Sequence, residues 1–108
     1  MENTVEEKLA NEGVIKSEPA IWVDSSSVMQ HGKLVLTSQH LVFAIEGATI
    51  PAAAIDLDTI NSIAHEHLLT DPNILAVNYL QYDTLKFSVL NYEDWEKAIE
   101  DQRMLPNI

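Results

Sequence analysis

Cysteine is missing altogether from this 108-residue chain, which excludes disulfides and thiolate metal sites and leaves the redox compartment unmarked. Glycine stands only at Gly13, Gly32 and Gly47, too far apart for a phosphate-cradling loop. Basic residues are scarce: 6 Lys and Arg face 17 Asp and Glu, for a net charge of −11. Lys8, Lys16, Lys33, Lys86, Lys97 and Arg103 are scattered singly, which excludes a basic face for nucleic acid or anionic lipid. Folding could still gather Lys33 and Lys86 with a histidine into a small basic spot. No apolar run nears the ~20 residues of a membrane-spanning helix. The opening MENTVEEKLANEG is acidic and lacks the basic flank and apolar stretch of a secretory signal, so a soluble cytoplasmic protein is expected. Catalytic signatures are missing too. The Ser25–Ser27 run has no G-x-S-x-G elbow around it and reads as a polar bend.

What is present suits one folded domain. The chain is 46% hydrophobic, unlike a disordered segment, and a chain of this length buries roughly two-thirds of its unfolded surface. Thr4-Val5-Glu6-Glu7 fits a capping box, with Thr4 as N-cap and Glu7 reaching back to its amide. Val5 and Leu9 then share a face, and Gly13 supplies a left-handed stop. A helix this short must dock on something or fray. Residues 1–13 therefore read as a helical extension to a domain spanning 14–108.

From there the pattern is extended. Ala20–Val23 alternates, the serine run interrupts it, and Val28–Gln30 resumes the strand. His31-Gly32 reads as a turn. In "GKLVLTSQHLVF", Leu34 and Leu36 point one way and Val35 and Thr37 the other; after Ser38-Gln39, Leu41, Phe43 and Ile45 share a face. Pro51 cannot donate to a ladder, so Ala48–Ile55 is an edge or a loop. Ile55 and Leu57 point inward, Asp56 and Asp58 outward, with a bend or bulge near Asp58–Asn61. Asp71–Asn73 reads as a turn. Ile74–Tyr82 is the longest strand, Asp83-Thr84 a tight turn, and Leu85, Phe87 and Val89 another inward row. The chain closes with an amphipathic helix, Tyr92–Met104, capped by Asn91. Its stripe is Tyr92, Trp95, Ala98 and Ile99, and Glu93 is placed to pair with Lys97. The order is helix, about seven short antiparallel strands, helix.

That order, with three segments, resembles GRAM and bacterial pleckstrin-homology-like domains. "HGKLVLTSQHLVF" is similar to their strand-turn-strand pattern, "IDLDTINSIAHEHLL" to the next part, and "DTLKFSVLNYEDWEKAI" to the closing strand and tryptophan-bearing helix. The likeness covers about residues 18–102 in the right order. It implies a mainly β fold: a partly open barrel plugged by the C-terminal helix. With the catalytic signatures missing, a non-catalytic role without cofactor is expected. His40 stands where the family usually has arginine, and the basic cluster of its phosphoinositide-binding members is lacking. The bacterial branch, known for self-assembly and protein contacts, fits better.

Several residues remain as candidates. His65 and His67 project from one face of a strand and could share a metal, as a binding site or in a metal-dependent enzyme, or could simply face solvent. Asp56 and Asp58 could hold a hard cation, act as acid and base, or form the wet side of a strand. Trp22 is either a solvent-facing partner anchor or core. Tyr79 and Tyr82, three apart, cannot both face inward, and Pro51, Ala53 and Ile55 offer small apolar contacts. Trp22, Pro51, Ala53, Ile55 and Tyr82 are thus the partner-binding candidates, for another protein or a second copy of the chain. Lys33, His40 and Lys86 are the lipid-headgroup alternative.

Overall fold

Thr4 and Gly13 bracket the first element as their chemistry requires. In the computed structural model, which describes residues 3–25, 28–68 and 71–103, helix α1 spans Val5–Glu12. The Glu7 N–H donates to Thr4 Oγ1 at 3.3 Å, and the Gly13 N–H closes the last turn on the Leu9 carbonyl at 3.1 Å. Gly13 holds a φ of +99°, which a side chain would strain. The described strands are β1 Val14–Ser25, β2 Val28–Thr37, β3 His40–Ala44, β4 Ala53–Asp56, β5 Ile60–Leu68, β6 Asp71–Tyr79 and β7 Asp83–Ser88. A 3₁₀ turn at Leu57–Thr59 makes the bend expected before Ile60, and helix α2 runs Tyr92–Arg103. Met104, expected to end that helix, lies outside the described residues, as do Ser26 and Ser27.

The strands pair antiparallel in the order β4-β3-β2-β1-β7-β6-β5, which leaves β4 and β5 as edges. This sheet is strongly curled. β3 and β7 are separated by two strands, about 14 Å in a flat sheet, yet Phe43 stacks on Phe87 with ring centroids 5.6 Å apart. Curling gathers the inward rows, among them Leu34, Leu36, Leu41, Leu75, Val77 and Val89, into one cluster. Helix α2 completes it with Tyr92, Trp95, Ile99 and the partly buried Ala98. Trp95 is fully buried, and its Nε1 donates to Glu18 at 3.0 Å. Asn91 Oδ1 accepts the Asp94 N–H at 3.1 Å, and Asn73 Oδ1 accepts the Tyr92 N–H at 3.2 Å, so the helix start is tied to β6. The architecture is the expected one: mainly β, a partly open barrel plugged by a C-terminal helix.

The outer wall of β2 and β3 is covered as well. Val35, Val42 and Ala44 form a second buried cluster with Val5 and Leu9 of α1. The Val5 N–H donates to the Ala48 carbonyl at 2.8 Å, and Lys8 Nζ to the Thr49 carbonyl at 3.0 Å. The extension therefore docks on its own chain.

Local differences arise where turn-forming residues sit inside strands. Gly32 pairs with Ala20 within β2, and the reversal falls between Ser25 and Val28, so Val28–Gln30 opens β2 rather than resuming β1. The glycine is needed for space: a Cβ there would stand 2.5 Å from the Ala44 carbonyl oxygen and 2.8 Å from Phe43 Cζ. Asp71 and Asn73 belong to β6, where the Asp71 carboxylate accepts the Asn73 N–H at 2.9 Å and also the Ser88 hydroxyl. Asp83 and Thr84 begin β7, and the chain reverses at 80–82 instead, with Leu80 at a φ of +56°. Ile45 lies beyond β3 and is exposed, so the inward row stops at Phe43. Lys97 pairs with Asp101 at 3.0 Å rather than with Glu93.

Candidate functional site

Glu12 follows Val5 by seven residues, so the apolar stripe of α1 ends on a carboxylate that needs a donor. β2 and β3 supply two. The buried Thr37 hydroxyl donates to Glu12 Oε1 at 2.5 Å while accepting the N–H groups of Gln39 at 3.2 Å and His40 at 3.0 Å. His40 Nδ1 lies 2.6 Å from the same Glu12 oxygen, and its Nε2 lies 3.0 Å from Asp56 Oδ1 on β4. Both contacts are hydrogen bonds at once only when both ring nitrogens carry protons. The Thr37 hydroxyl, and after it His40, hold the Glu12 carboxyl below its usual 4.5, against the opposing effect of burial. The two carboxylates flank opposite sides of the ring, so the three groups cannot converge on one ion. A cleft of about 630 Å³ opens beside them, lined by Ser38, Gln39, Asp58 and Arg103 among others. Asp56 is turned to His40, and Asp58 is exposed in the 3₁₀ turn.

His65 and His67 lie on the β5 face that carries α2. Their rings stack at 5.2 Å and 21°, and His65 stacks on Tyr92 at 4.1 Å and 7°. Tyr92 is buried and donates its hydroxyl to Glu96 Oε2 at 2.8 Å; burial first, then Glu96, pushes that hydroxyl up to about 12. Among the described residues, no group of three or more His, Cys, Asp or Glu is disposed to hold a metal ion.

The basic residues are brought to carboxylates instead of to one another. Lys33 pairs with Glu6 at 3.2 Å, Lys86 with Glu66 at 2.8 Å, Lys16 with Glu18 at 3.2 Å, and Arg103 with Glu100 at 2.5 Å. With Lys97 on Asp101 and Lys8 on a carbonyl, all six are engaged within the chain. Lys33, His40 and Lys86 stand on three different strands, each beside an acid.

The partner candidates do not share a patch. Trp22 meets Phe43 edge-on at 6.1 Å and is half-buried against the core, while Ile55 is 2% exposed within it. Ala53 packs against the core from edge strand β4, Pro51 is exposed in the connection before it, and Tyr82 is 94% exposed at the β6–β7 reversal. Sequence reasoning passed over Glu12, Thr37 and Glu18. The first had a signal, the helical spacing of Glu12 from Val5 and Leu9. Glu18 had a weaker one, alternation with Ala20 and Trp22, which puts a carboxylate on an inward row.

No protein-family model and no curated protein matches the sequence. Solved structures do match the fold. The C-terminal domain of an unknown protein from Leishmania infantum is 24% identical with a TM-score of 0.75, over 92% of this chain and 91% of that one. The DH/PH fragment of PDZRHOGEF, solved in complex with human RhoA, is 14% identical with a TM-score of 0.71; the match covers 91% of this chain but 30% of that one. The C-terminal PH domain of pleckstrin, solved with an inositol pentakisphosphate, is 16% identical with a TM-score of 0.68, over 83% of this chain and 95% of that one. These likenesses show a pleckstrin-homology-like fold.

Proposed function

We propose that this chain is a non-catalytic interaction module of the GRAM-like or bacterial pleckstrin-homology-like kind, which binds protein, including a second copy of itself, in the cytoplasm. Neighbours of the same fold have been solved both with a protein, RhoA, and with inositol phosphates, so fold alone does not choose between those ligand classes. The observation that carries the choice is the internal neutralisation of the cations. Five of the six Lys and Arg side chains have a carboxylate within 3.2 Å, and the sixth donates to a backbone carbonyl. A polyphosphate headgroup needs several converging donors, and here it would have to displace carboxylates on a chain of net charge −11. The non-catalytic reading is supported by His40, which lines the neighbouring cleft with Asp56 but has both ring nitrogens taken up by the carboxylates of Glu12 and Asp56.

Two measurements test the reading. Sedimentation with vesicles containing anionic phosphoinositide, at about 0.15 M salt, is expected to leave the protein in the supernatant; salt-sensitive co-sedimentation would transfer the assignment to lipid. Light scattering across a concentration series is expected to show a rising mass, and a monomer at high micromolar concentration removes the self-association clause.

A further inference from the structure

The two edges of the sheet are protected very differently. β4 has 4 residues and follows Pro51, both of which discourage pairing, and its Asp56 is one of the acids around His40. β5 has 9 residues, INSIAHEHL, with neither proline nor lysine among them. Among the described residues its one strand partner is β6. The Arg103 guanidinium takes the Ile60 carbonyl at 3.1 Å and the Asn61 carbonyl at 3.4 Å, and so closes the beginning of the edge. What fits such a row of main-chain donors and acceptors is another extended strand.

Charge indicates whose strand. Three of the six cations approach this strand or the helix beside it, and each is matched: Lys86 reaches across from β7 to Glu66 of β5, Lys97 pairs with Asp101, and Arg103 with Glu100. Ser62, Ile63, Ala64, His65 and His67 add no carboxylate. Glu96, which accepts the Tyr92 hydroxyl, adds one carboxylate to the adjoining groove of about 430 Å³ against α2, so edge and groove together carry little of the negative charge of a strongly acidic molecule. Two copies meet there with little repulsion.

We propose that β5 pairs antiparallel with β5 of a second copy across a two-fold axis, joining two barrels into one continuous sheet. The inference rests on the self-association reading above and names its surface. An axis centred on Ala64 sets Ser62 opposite Glu66 and Ile63 opposite His65, so no like charges meet. Net repulsion between acidic copies makes the dimer tighten as salt rises, the reverse of an association driven by opposite charges.

Amide hydrogen exchange on the full chain, dilute and concentrated, together with sedimentation equilibrium, tests this. The expected result is a dimer in which the amides of residues 62–67 slow on concentration while those of β4 do not. Ala64→Lys, which opposes two ammonium groups at the axis, is expected to weaken the dimer about tenfold with intrinsic tryptophan fluorescence unchanged. Should that variant fail to fold, the wild-type exchange comparison stands alone. A dimer whose 62–67 amides do not respond to concentration overturns the β5 assignment and leaves self-association intact. A monomer at high micromolar concentration overturns both. Protection of those amides by an extended peptide from another protein, in a chain that stays monomeric, keeps the edge as a site but overturns the second copy as its occupant.

Discussion

Helices α1 and α2 lie on the same curled sheet, each with acidic residues in its first turn and an apolar stripe toward the strands, yet they stand in different relations to the core. α2 contributes Tyr92, Trp95 and Ile99 to the main cluster, which cannot close without them. α1 contributes Val5 and Leu9 to a separate patch with Val35, Val42 and Ala44, on the outside of a wall whose inside is already filled. One helix is part of the barrel; the other is strapped to it. Amphipathicity therefore says that a helix docks, and the size of the cluster it enters says whether the fold depends on the docking.

Removing the plug gives the largest effect. Trp95→Ala deletes a fully buried ring and leaves the Glu18 carboxylate without its indole donor, and is expected to destabilise by about 3–5 kcal/mol, or to prevent folding, in urea denaturation. Trp95→Phe keeps most of the apolar volume and loses the hydrogen bond, and is expected at about 1 kcal/mol. A Trp95→Ala loss below that of the Phe variant would dissolve the distinction between the helices. Leu9→Ala comes next at about 2 kcal/mol. Its loss is capped by the docking energy of α1, because the helix can lift while the barrel stays closed. Val5→Ala combined with Leu9→Ala should therefore lose less than the sum of the two.

The helices also carry opposite pH sensitivities. The Glu12 carboxyl is depressed in the folded chain, so its contribution is complete above 4.5 and is lost as pH falls through the lower folded value. Glu12→Gln should cost about 1 kcal/mol near neutrality, and its difference from wild type should shrink on acidification. The Tyr92 hydroxyl is raised from 10.0 to about 12. Its contribution is complete below 10 and is lost as pH climbs toward 12, because the unfolded chain ionises first. Tyr92→Phe should flatten that alkaline decline. Unfolding midpoints across both ranges check the pair; an acid response unchanged by Glu12→Gln would separate Glu12 from the strap.

The division between plug and strap was half legible in the sequence. The apolar stripe of α2 and the two-residue period of Leu34–Leu36, Leu75–Val77 and Phe87–Val89 identified a mainly β barrel with a helical cap, because burial on one face fixes register over several residues at once. Single residues misled. Gly32, Asp71 and Asp83 are turn formers by local chemistry, yet ladder pairing with Ala20, Leu68 and Tyr79 placed all three in strands. Trp22 fell to the inner face because Ala20, in step with it, needed burial. The Glu12–Thr37–His40–Asp56 cluster joins four positions from α1, β2, β3 and β4, and only the docking of α1 brings them together. The matching of Lys33 with Glu6 and of Lys86 with Glu66 was likewise hidden, since these are cross-element pairs that no local spacing marks.

The smallest effects probe the same contrast through two lysines. Lys97 pairs with Asp101 one turn along its own helix, with side chains 78% and 58% exposed, so the contact ties α2 only to itself. Lys97→Ala is expected to change stability by less than about 0.5 kcal/mol and to leave α2 amide exchange as it was. Lys8 instead reaches out of α1 to the Thr49 carbonyl, beside the Val5 N–H that donates to Ala48. Lys8→Ala is expected to cost about as little globally, since the barrel does not rest on α1. Its amides within α1 should nevertheless exchange faster while those of β6 and β7 do not. A substitution invisible to denaturant but visible in the local opening of one helix is the behaviour of a strap. Equal acceleration across the whole sheet would mean that α1 is as much a member of the core as α2.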